Sequence, residues 1–139
     1  MIERVLFVHA HPDDETITTG ATIATLVENG AAVTVLTLTR GERGEVIPVD
    51  LASLEGDLEA LAAVREAELA QALSHLGVRD HRFLGNPDAR WAGRTARRYV
   101  DSGMRWGARG AQASASLTRL RSRRLTSVRL RPTDRKSVV

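Results

Sequence analysis

Residues 4–15 read RVLFVHAHPDDE, and this stretch decides which fold the sequence predicts. Its first half, residues 4–9, is a nearly continuous apolar run, which is typical of a strand buried on both faces of a parallel sheet. Pro12 disfavours a helical conformation in the preceding residue and prevents the strand from simply continuing. We therefore predict that the strand ends before Pro12 and that a helix begins at Asp13 or Asp14.

The sequence that follows alternates between helical and strand patterns. The predicted elements are a helix ending at Asn29 with Gly30 as its C-cap, a strand over residues 33–39, a helix over 58–76 capped by Gly77, and a strand over 80–84. Residues 41–56 are predicted to form a long loop, and residues 85–107 an irregular segment. This β-α-β-α-β order predicts an α/β domain with a parallel sheet and flanking helices.

The composition is that of one folded domain. With 139 residues, of which 42% are apolar, the chain can build a single modest hydrophobic core. No apolar run reaches the roughly 18 residues that a membrane span needs, and the N-terminus carries no secretory signal. The absence of cysteine excludes disulfides and thiolate metal ligands. We expect a cytoplasmic protein without a membrane partner.

The charge is distributed unevenly along the chain. Residues 1–106 carry 11 Lys or Arg and 16 Asp or Glu, whereas residues 107–139 carry nine basic residues and one acid. We expect residues 1–106 to fold, and residues 107–139 to be an irregular basic tail that is either disordered or the product of a frameshifted or truncated gene. An alternative function is nucleic-acid binding by this tail, but it contains no interleaved aromatic residues, so a nucleic-acid partner is not expected.

A dense group of imidazole and carboxylate side chains follows the first strand, namely His9, His11, Asp13, Asp14 and Glu15. Ligands of parallel α/β folds bind beyond the carboxyl ends of the strands. A hydrolytic zinc site normally uses three such protein ligands and a water, and a further carboxylate can accept the proton of that water. The simpler interpretation is that the two aspartates only cap the helix. The histidines before them favour a metal site, with Glu15 as a helix-start carboxylate.

The motif HAHPDDE after a hydrophobic strand resembles the signature of the PIG-L/LmbE-like zinc deacetylases. The resemblance implies that His11 and Asp14 bind zinc and that Asp13 is the general base. It places His9 outside the metal site, as a hydrogen-bonded histidine behind it. The fold that it implies is a Rossmann-like parallel sheet with flanking helices, incomplete over this length.

Three further segments extend the resemblance over residues 4–106. Residues 39–47 (TRGERGEVI) are similar to the loop after the second strand in the mycothiol branch of the family. Residues 64–69 (VREAEL) are similar to a family helix that carries a substrate-binding arginine. Residues 99–104 (YVDSGM) resemble the family's DSGM segment, whose Asp and Met contact substrate.

The substrate contacts that these matches imply are Thr18, Arg65, Asp101 and Met104. Arg65 also stands out without the family, because it shares the apolar stripe of its predicted helix, where a charge needs a partner. The alternative is a snorkelling arginine whose stem covers apolar surface. Glu68, one turn further on, is a candidate partner for its guanidinium.

The resemblance implies zinc-dependent hydrolysis of the acetamide of N-acetylglucosaminyl-inositol, a small-molecule substrate, in mycothiol biosynthesis. Mycothiol S-conjugate amidase, or another PIG-L family amidohydrolase, is the alternative activity. The family takes its third zinc ligand from a downstream histidine, whereas this chain has no histidine after His81. We therefore expect weak zinc binding and little activity from the chain as given, with His9 and His81 as the candidate substitute ligands.

Overall fold

The computed structural model of the protein describes residues 4–107 and 110–113. Its elements in chain order are β1 (Arg4–His9), α1 (Asp14–Glu28), β2 (Ala32–Thr37), a 3₁₀ helix (Val49–Leu54), α2 (Leu58–His75), β3 (Asp80–Phe83), β4 (Met104–Gly107) and β5 (Gly110–Ala113). The predicted strands and helices are all present, with ends within two residues of the predicted ones. The 3₁₀ helix, within the predicted loop, was not predicted. None of the described helices is long and apolar enough to cross a membrane.

The first three strands form a parallel sheet in the order β1-β2-β3. Arg4 pairs with Ala32 and His9 with Thr37, so the carboxyl ends of β1 and β2 meet at one edge of the sheet. Thr37 also pairs with Phe83, which brings the end of β3 to the same edge. The predicted α/β architecture is therefore confirmed, and the residues that follow β1 lie at the edge where such sheets bind ligands.

Both long helices pack on one face of this sheet. The buried core consists of Ile23 from α1, Val33 and Val35 from β2, and Leu69 and Leu73 from α2. Right-handed crossovers that step in one direction across a sheet leave their helices on the same side. Anchored by this core, α1 starts directly at the carboxyl edge of β1.

The prediction that β1 is buried on both faces is wrong for the described structure. Its residues alternate between partly buried and exposed positions, and Leu6 and Val8 are 59% and 52% exposed. Phe7, which points to the opposite face, packs against the core. The apolar run indicates a buried strand, but in the described residues no helix covers the face that carries Leu6 and Val8.

A short hairpin follows the irregular segment. Strands β4 and β5 pair antiparallel, with Met104 opposite Ala113 and Gly107 opposite Gly110. The sequence does not predict this hairpin, which crosses the expected boundary between residues 106 and 107. The rest of the expected basic tail, residues 108–109 and 114–139, lies outside the described residues.

The surroundings of His81 predict that the stability of the fold depends on pH. Its Nε2 lies 3.0 Å from the Thr37 hydroxyl, and its ring packs edge-on against Phe83. Burial lowers the pKa of His81 below its ordinary 6.5, outweighing nearby carboxylates that raise it, with Glu15 first among them. Below about pH 6.5 the unfolded chain binds more protons at His81 than the folded chain does. The contribution of neutral His81 to the free energy of unfolding is therefore fully present above that pH and falls as the pH is lowered. We expect His81→Gln to flatten this fall, measured by urea unfolding between about pH 5 and pH 7.5.

The matched control for this experiment is His75→Gln, because His75 is an exposed residue of α2. The control variant is expected to keep the wild-type slope of unfolding free energy against pH. Equal slopes for wild type and both variants would show that His81 is not the group responsible.

Candidate active site

The residues of the HPDD motif lie together at the carboxyl edge of the sheet, between β1 and the first turn of α1. Asp14 Oδ2 accepts a hydrogen bond of 3.0 Å from the backbone N–H of His11 and lies 3.6 Å from His11 Nδ1. The two predicted zinc ligands therefore converge on the same side of the chain. A tetrahedral zinc with bonds of about 2.0–2.1 Å holds two donor atoms roughly 3.3 Å apart, so the observed separation fits a shared ion.

Asp13 has an unusual backbone conformation. Its φ is 89°, the only positive φ of a non-glycine residue in the part of the chain that the structure describes. Such conformations are uncommon for residues with a side chain, although Asp and Asn tolerate them best, and they are characteristic of functional sites. The Asp13 carboxylate is half-exposed and accepts a 2.6 Å bond from Arg65 Nη2.

The helix-capping interpretation of the two aspartates does not fit this geometry. Asp13 occupies the N-cap position of α1, but its carboxylate makes no capping hydrogen bond to the described first turn. The Asp14 carboxylate turns back to His11 instead. The carboxylates thus face the residues of the motif and Arg65, as expected of a site.

Glu15 contributes more than the sequence predicts. It does lie at the helix start, but its side chain is 0% exposed. Its Oε2 accepts a 3.1 Å bond from the backbone N–H of Asp13, and its Oε1 accepts a 2.7 Å bond from the Thr16 hydroxyl. We infer that this buried carboxylate holds Asp13 in its left-handed conformation. The only signal for it in the sequence is a third consecutive acid.

Arg65 enters the same site from α2. Its side chain is 17% exposed, and Nη2 donates to the Pro12 carbonyl at 2.8 Å as well as to Asp13. The arginine on the apolar stripe therefore has a partner, and among the described residues that partner is Asp13, not Glu68. Because Arg65 fixes the position of the predicted base, it orients the site as well as lining it.

Two glycines make room for the Arg65 guanidinium. A Cβ on Gly44 would lie 2.6 Å from Arg65 Nη1, and a Cβ on Gly41 would lie 2.8 Å from Arg65 Nε. Gly41 has a φ of 66°, whereas Gly44 does not have a left-handed φ, so only its lack of a side chain is required. The glycines of the GERGEV segment thus leave the space that the Arg65 guanidinium occupies.

We expect Gly44→Ala to displace the Arg65 guanidinium from Asp13. We expect the variant to lose affinity for the N-acetylglucosaminyl-inositol substrate that the family resemblance implies, while its far-ultraviolet circular dichroism stays unchanged. The matched control is Gly20→Ala in α1, where a new Cβ meets nothing closer than 3.7 Å. Unchanged substrate affinity in Gly44→Ala would show that the position of Arg65 is unimportant for binding.

The motif opens onto a cleft of about 570 Å³. Its lining includes His11, Asp13, Arg65, Asp101 and Met104. Five of the seven predicted site residues are therefore brought to one cavity, and Asp14, which is not one of its lining residues, contacts His11.

Thr18, the remaining predicted substrate contact, lies elsewhere. It is exposed on α1, its hydroxyl donates a 2.6 Å bond to the Asp14 carbonyl one turn earlier, and it is not among the residues that line the cleft.

Asp101 makes a contact that sequence reasoning did not foresee. Its side chain is 7% exposed, and Oδ1 lies 3.1 Å from His11 Nε2. The same Oδ1 accepts a 3.0 Å bond from the backbone N–H of Gly103. Asp101 was predicted as a substrate contact, and the structure also places it against the imidazole of a predicted zinc ligand.

The segment that carries Asp101 is tied to α2 by an arginine. Arg98 donates a 2.7 Å bond to Glu59 and lies 3.7 Å from Glu42, whose side chain is 2% exposed. The hydrogen bond to the Glu59 carboxylate raises the pKa of Arg98 above its ordinary value, so Arg98 is charged at every relevant pH. The buried Glu42, which sequence reasoning did not single out, thus helps to fix the irregular segment against the helix layer.

His11 and Asp14 supply two donors of the expected three. The described residues contain no group of three or more His, Cys, Asp or Glu side chains arranged to hold a metal ion. His9 Nε2 lies 3.1 Å from the Thr19 hydroxyl, as expected of a hydrogen-bonded histidine. His81 is bonded to Thr37 on the helix-facing side of the sheet. The donor set fits zinc in kind and spacing, and it leaves the third protein ligand unassigned.

Comparison with known proteins identifies the family of the chain. The family model described as PIG-L: GlcNAc-PI de-N-acetylase matches residues 6–127. A 1D-myo-inositol 2-acetamido-2-deoxy-alpha-D-glucopyranoside deacetylase of Kineococcus radiotolerans is 58% identical over 103 residues, which are 74% of this chain and 26% of that protein. The protein of the same name from Streptomyces avermitilis is 51% identical over 113 residues, 81% of this chain and 35% of that protein. The chain thus spans about a quarter to a third of the length of these relatives.

Two solved structures share the fold. The N,N'-diacetylchitobiose deacetylase of Pyrococcus horikoshii matches with a TM-score of 0.54 and 27% identity, over 76% of this chain and 32% of that one. GalB, the 4-carboxy-2-hydroxymuconate hydratase of Pseudomonas putida, matches with a TM-score of 0.51 and 28% identity, over 68% of this chain and 38% of that one. Because the two carry different activities, this likeness describes the fold and not the reaction. With a family model that matches most of its length, the chain belongs to the PIG-L family.

Proposed function

We propose that the chain carries the metal- and base-bearing part of a zinc-dependent N-deacetylase that hydrolyses the acetamide of N-acetylglucosaminyl-inositol, a step of mycothiol biosynthesis. The observation that supports this most is a single cleft in which the predicted metal ligand His11, the predicted base Asp13, and Arg65 meet. The names of the relatives that are 51% and 58% identical favour this substrate.

His11 and Asp14 would hold the zinc ion between them. A bound zinc polarises a carbonyl group and lowers the pKa of a coordinated water. Asp13, which is half-exposed at the cleft, would accept the proton of the attacking water and later return it to the leaving amine. Arg65 keeps the Asp13 carboxylate oriented through its 2.6 Å bond.

The remaining lining of the cleft would bind the sugar. Asp101 and Met104 both line the cleft, the first with a carboxylate and the second with a largely exposed apolar side chain. A carboxylate can accept hydrogen bonds from sugar hydroxyls, and a thioether can pack against the apolar face of a ring. Thr18 is not proposed as a direct contact from its position on the exposed side of α1.

We propose that residues 1–106 form the catalytic part of this chain and that the basic segment 107–139 supplies no zinc ligand. That segment contains no histidine and no cysteine, and its one acid is Asp134. A cytoplasmic location is proposed together with this activity.

The experiment incubates the purified 139-residue chain with zinc and N-acetylglucosaminyl-inositol labelled in the acetyl group, and measures released acetate. Parallel samples contain a chelator, or a mycothiol S-conjugate in place of the substrate. We expect slow, zinc-dependent acetate release and no cleavage of the conjugate. Cleavage of the conjugate alone would replace this proposal by the amidase activity.

A further inference from the structure

Asp101 and His11 form a contact that gives the carboxylate a role beyond substrate binding. The two residues are 90 positions apart in the sequence, and the contact joins the irregular segment before β4 to the end of β1. Asp101 is almost fully buried, whereas the His11 side chain is 40% exposed. The carboxylate therefore has a fixed position, and the imidazole is the partner whose orientation it can set.

The hydrogen-bond pattern defines which ring nitrogen carries the proton. Asp101 Oδ1 accepts the backbone N–H of Gly103 at 3.0 Å, so this oxygen acts as an acceptor. Because a carboxylate carries no proton to donate, we assign His11 Nε2, 3.1 Å away, as the donor to this oxygen. A neutral imidazole with its proton on Nε2 has its lone pair on Nδ1, the nitrogen that lies 3.6 Å from Asp14 Oδ2.

We propose that Asp101 is a positioning residue that fixes the Nε2–H tautomer and the ring orientation of His11, so that Nδ1 faces the Asp14 carboxylate as a metal donor. This inference rests on the proposed function, in which His11 and Asp14 hold zinc. Carboxylates that accept the second N–H of a ligating histidine orient the ring and raise its basicity. Both bonds that the described residues make to the Asp101 carboxylate use Oδ1, and Asp101 also lines the cleft.

The first measurement needs neither metal nor substrate. The full chain is labelled with [¹⁵N]histidine, and the ring signals of His11 are assigned by comparison with His11→Gln among the four histidines of the chain. In the wild type we expect a protected Nε2–H proton and an unprotonated Nδ1. Asp101→Ala is expected to abolish that protection. Asp101→Asn, which keeps the shape and an acceptor oxygen but not the charge, is expected to weaken it.

The second measurement is zinc affinity by titration calorimetry on the same proteins. Loss of such a supporting carboxylate typically weakens metal binding about 10–100-fold, which we expect for Asp101→Ala, with a smaller loss for Asp101→Asn. The control is Asp50→Asn, which removes one negative charge, as Asp101→Asn does, but at an exposed residue of the 3₁₀ helix. Its zinc affinity is expected to match that of the wild type. If Asp101→Ala does not fold, the ring signals of Asp101→Asn decide the question.

The outcomes separate this inference from the proposed function. An unchanged His11 Nε2–H signal in both Asp101 variants, or equal zinc affinity in all four proteins, would overturn the positioning role even if the wild type released acetate. A wild type that shows the Asp101-dependent Nε2–H signal but releases no acetate would support the positioning role and count against the deacetylase function.

Discussion

Replacing Asp13 by asparagine is expected to lower zinc-dependent acetate release by about 10²–10⁴-fold, the usual contribution of a general base. The amide keeps the size of the carboxylate and still accepts a hydrogen bond from Arg65, but it cannot take a proton from water. Asparagine also tolerates the left-handed backbone of Asp13. The rate is measured with an acetyl-labelled substrate over hours, because the wild-type rate is itself expected to be low.

The choice of asparagine matters because alanine would mix two effects. At a φ of 89°, alanine adds a backbone strain of about 1–3 kcal/mol, so its lower activity would not identify a base. Zinc affinity is expected to be the same in Asp13→Asn and in the wild type, since His11 and Asp14 remain. A rate within a few-fold of the wild type, at equal zinc occupancy, would exclude Asp13 as the base.

The bounds of the helices and of the first three strands can be predicted from the sequence, because the residues that determine them lie within or beside each element. Gly30 and Gly77 end the two helices with φ of 81° and 74°, as their positions after the apolar stripes predict. The exposure of Leu6 and Val8 does not follow, because an apolar run cannot tell on which side of the sheet the helices will pack. The hairpin β4–β5 was not predicted because eight strand residues flanked by glycine carry too little pattern.

The candidate site likewise has contacts that the sequence predicts and contacts that it does not. The convergence of His11 and Asp14 is predictable because both lie within one turn of the chain. The partner of Arg65 is not, since Asp13 lies 52 positions away and Glu68 is the nearer choice in sequence. The contact between Asp101 and His11 depends on the same kind of long-range packing. The roles of these residues in catalysis stay predictions until the variants are measured.

Zinc binding by the 139-residue chain is expected to be weak, with a Kd above about 1 µM, which corresponds to about 8 kcal/mol. Complete structural zinc sites reach about 10–16 kcal/mol, and a catalytic zinc normally has three protein ligands. Here the described residues supply His11 and Asp14. His11→Gln is expected to remove specific binding altogether, measured by competition with a chelator of known affinity.

The two other histidines near the sheet test whether a substitute ligand exists. His9 Nε2 is engaged with the Thr19 hydroxyl, and His81 Nε2 with the Thr37 hydroxyl, so neither is free to turn toward Asp14 without losing a bond. His9→Gln and His81→Gln should therefore leave the Kd within about twofold of the wild type, as expected for uncoupled sites. Tight stoichiometric zinc in the wild type would contradict this prediction, and a loss of that binding in one of the two variants would identify the third ligand.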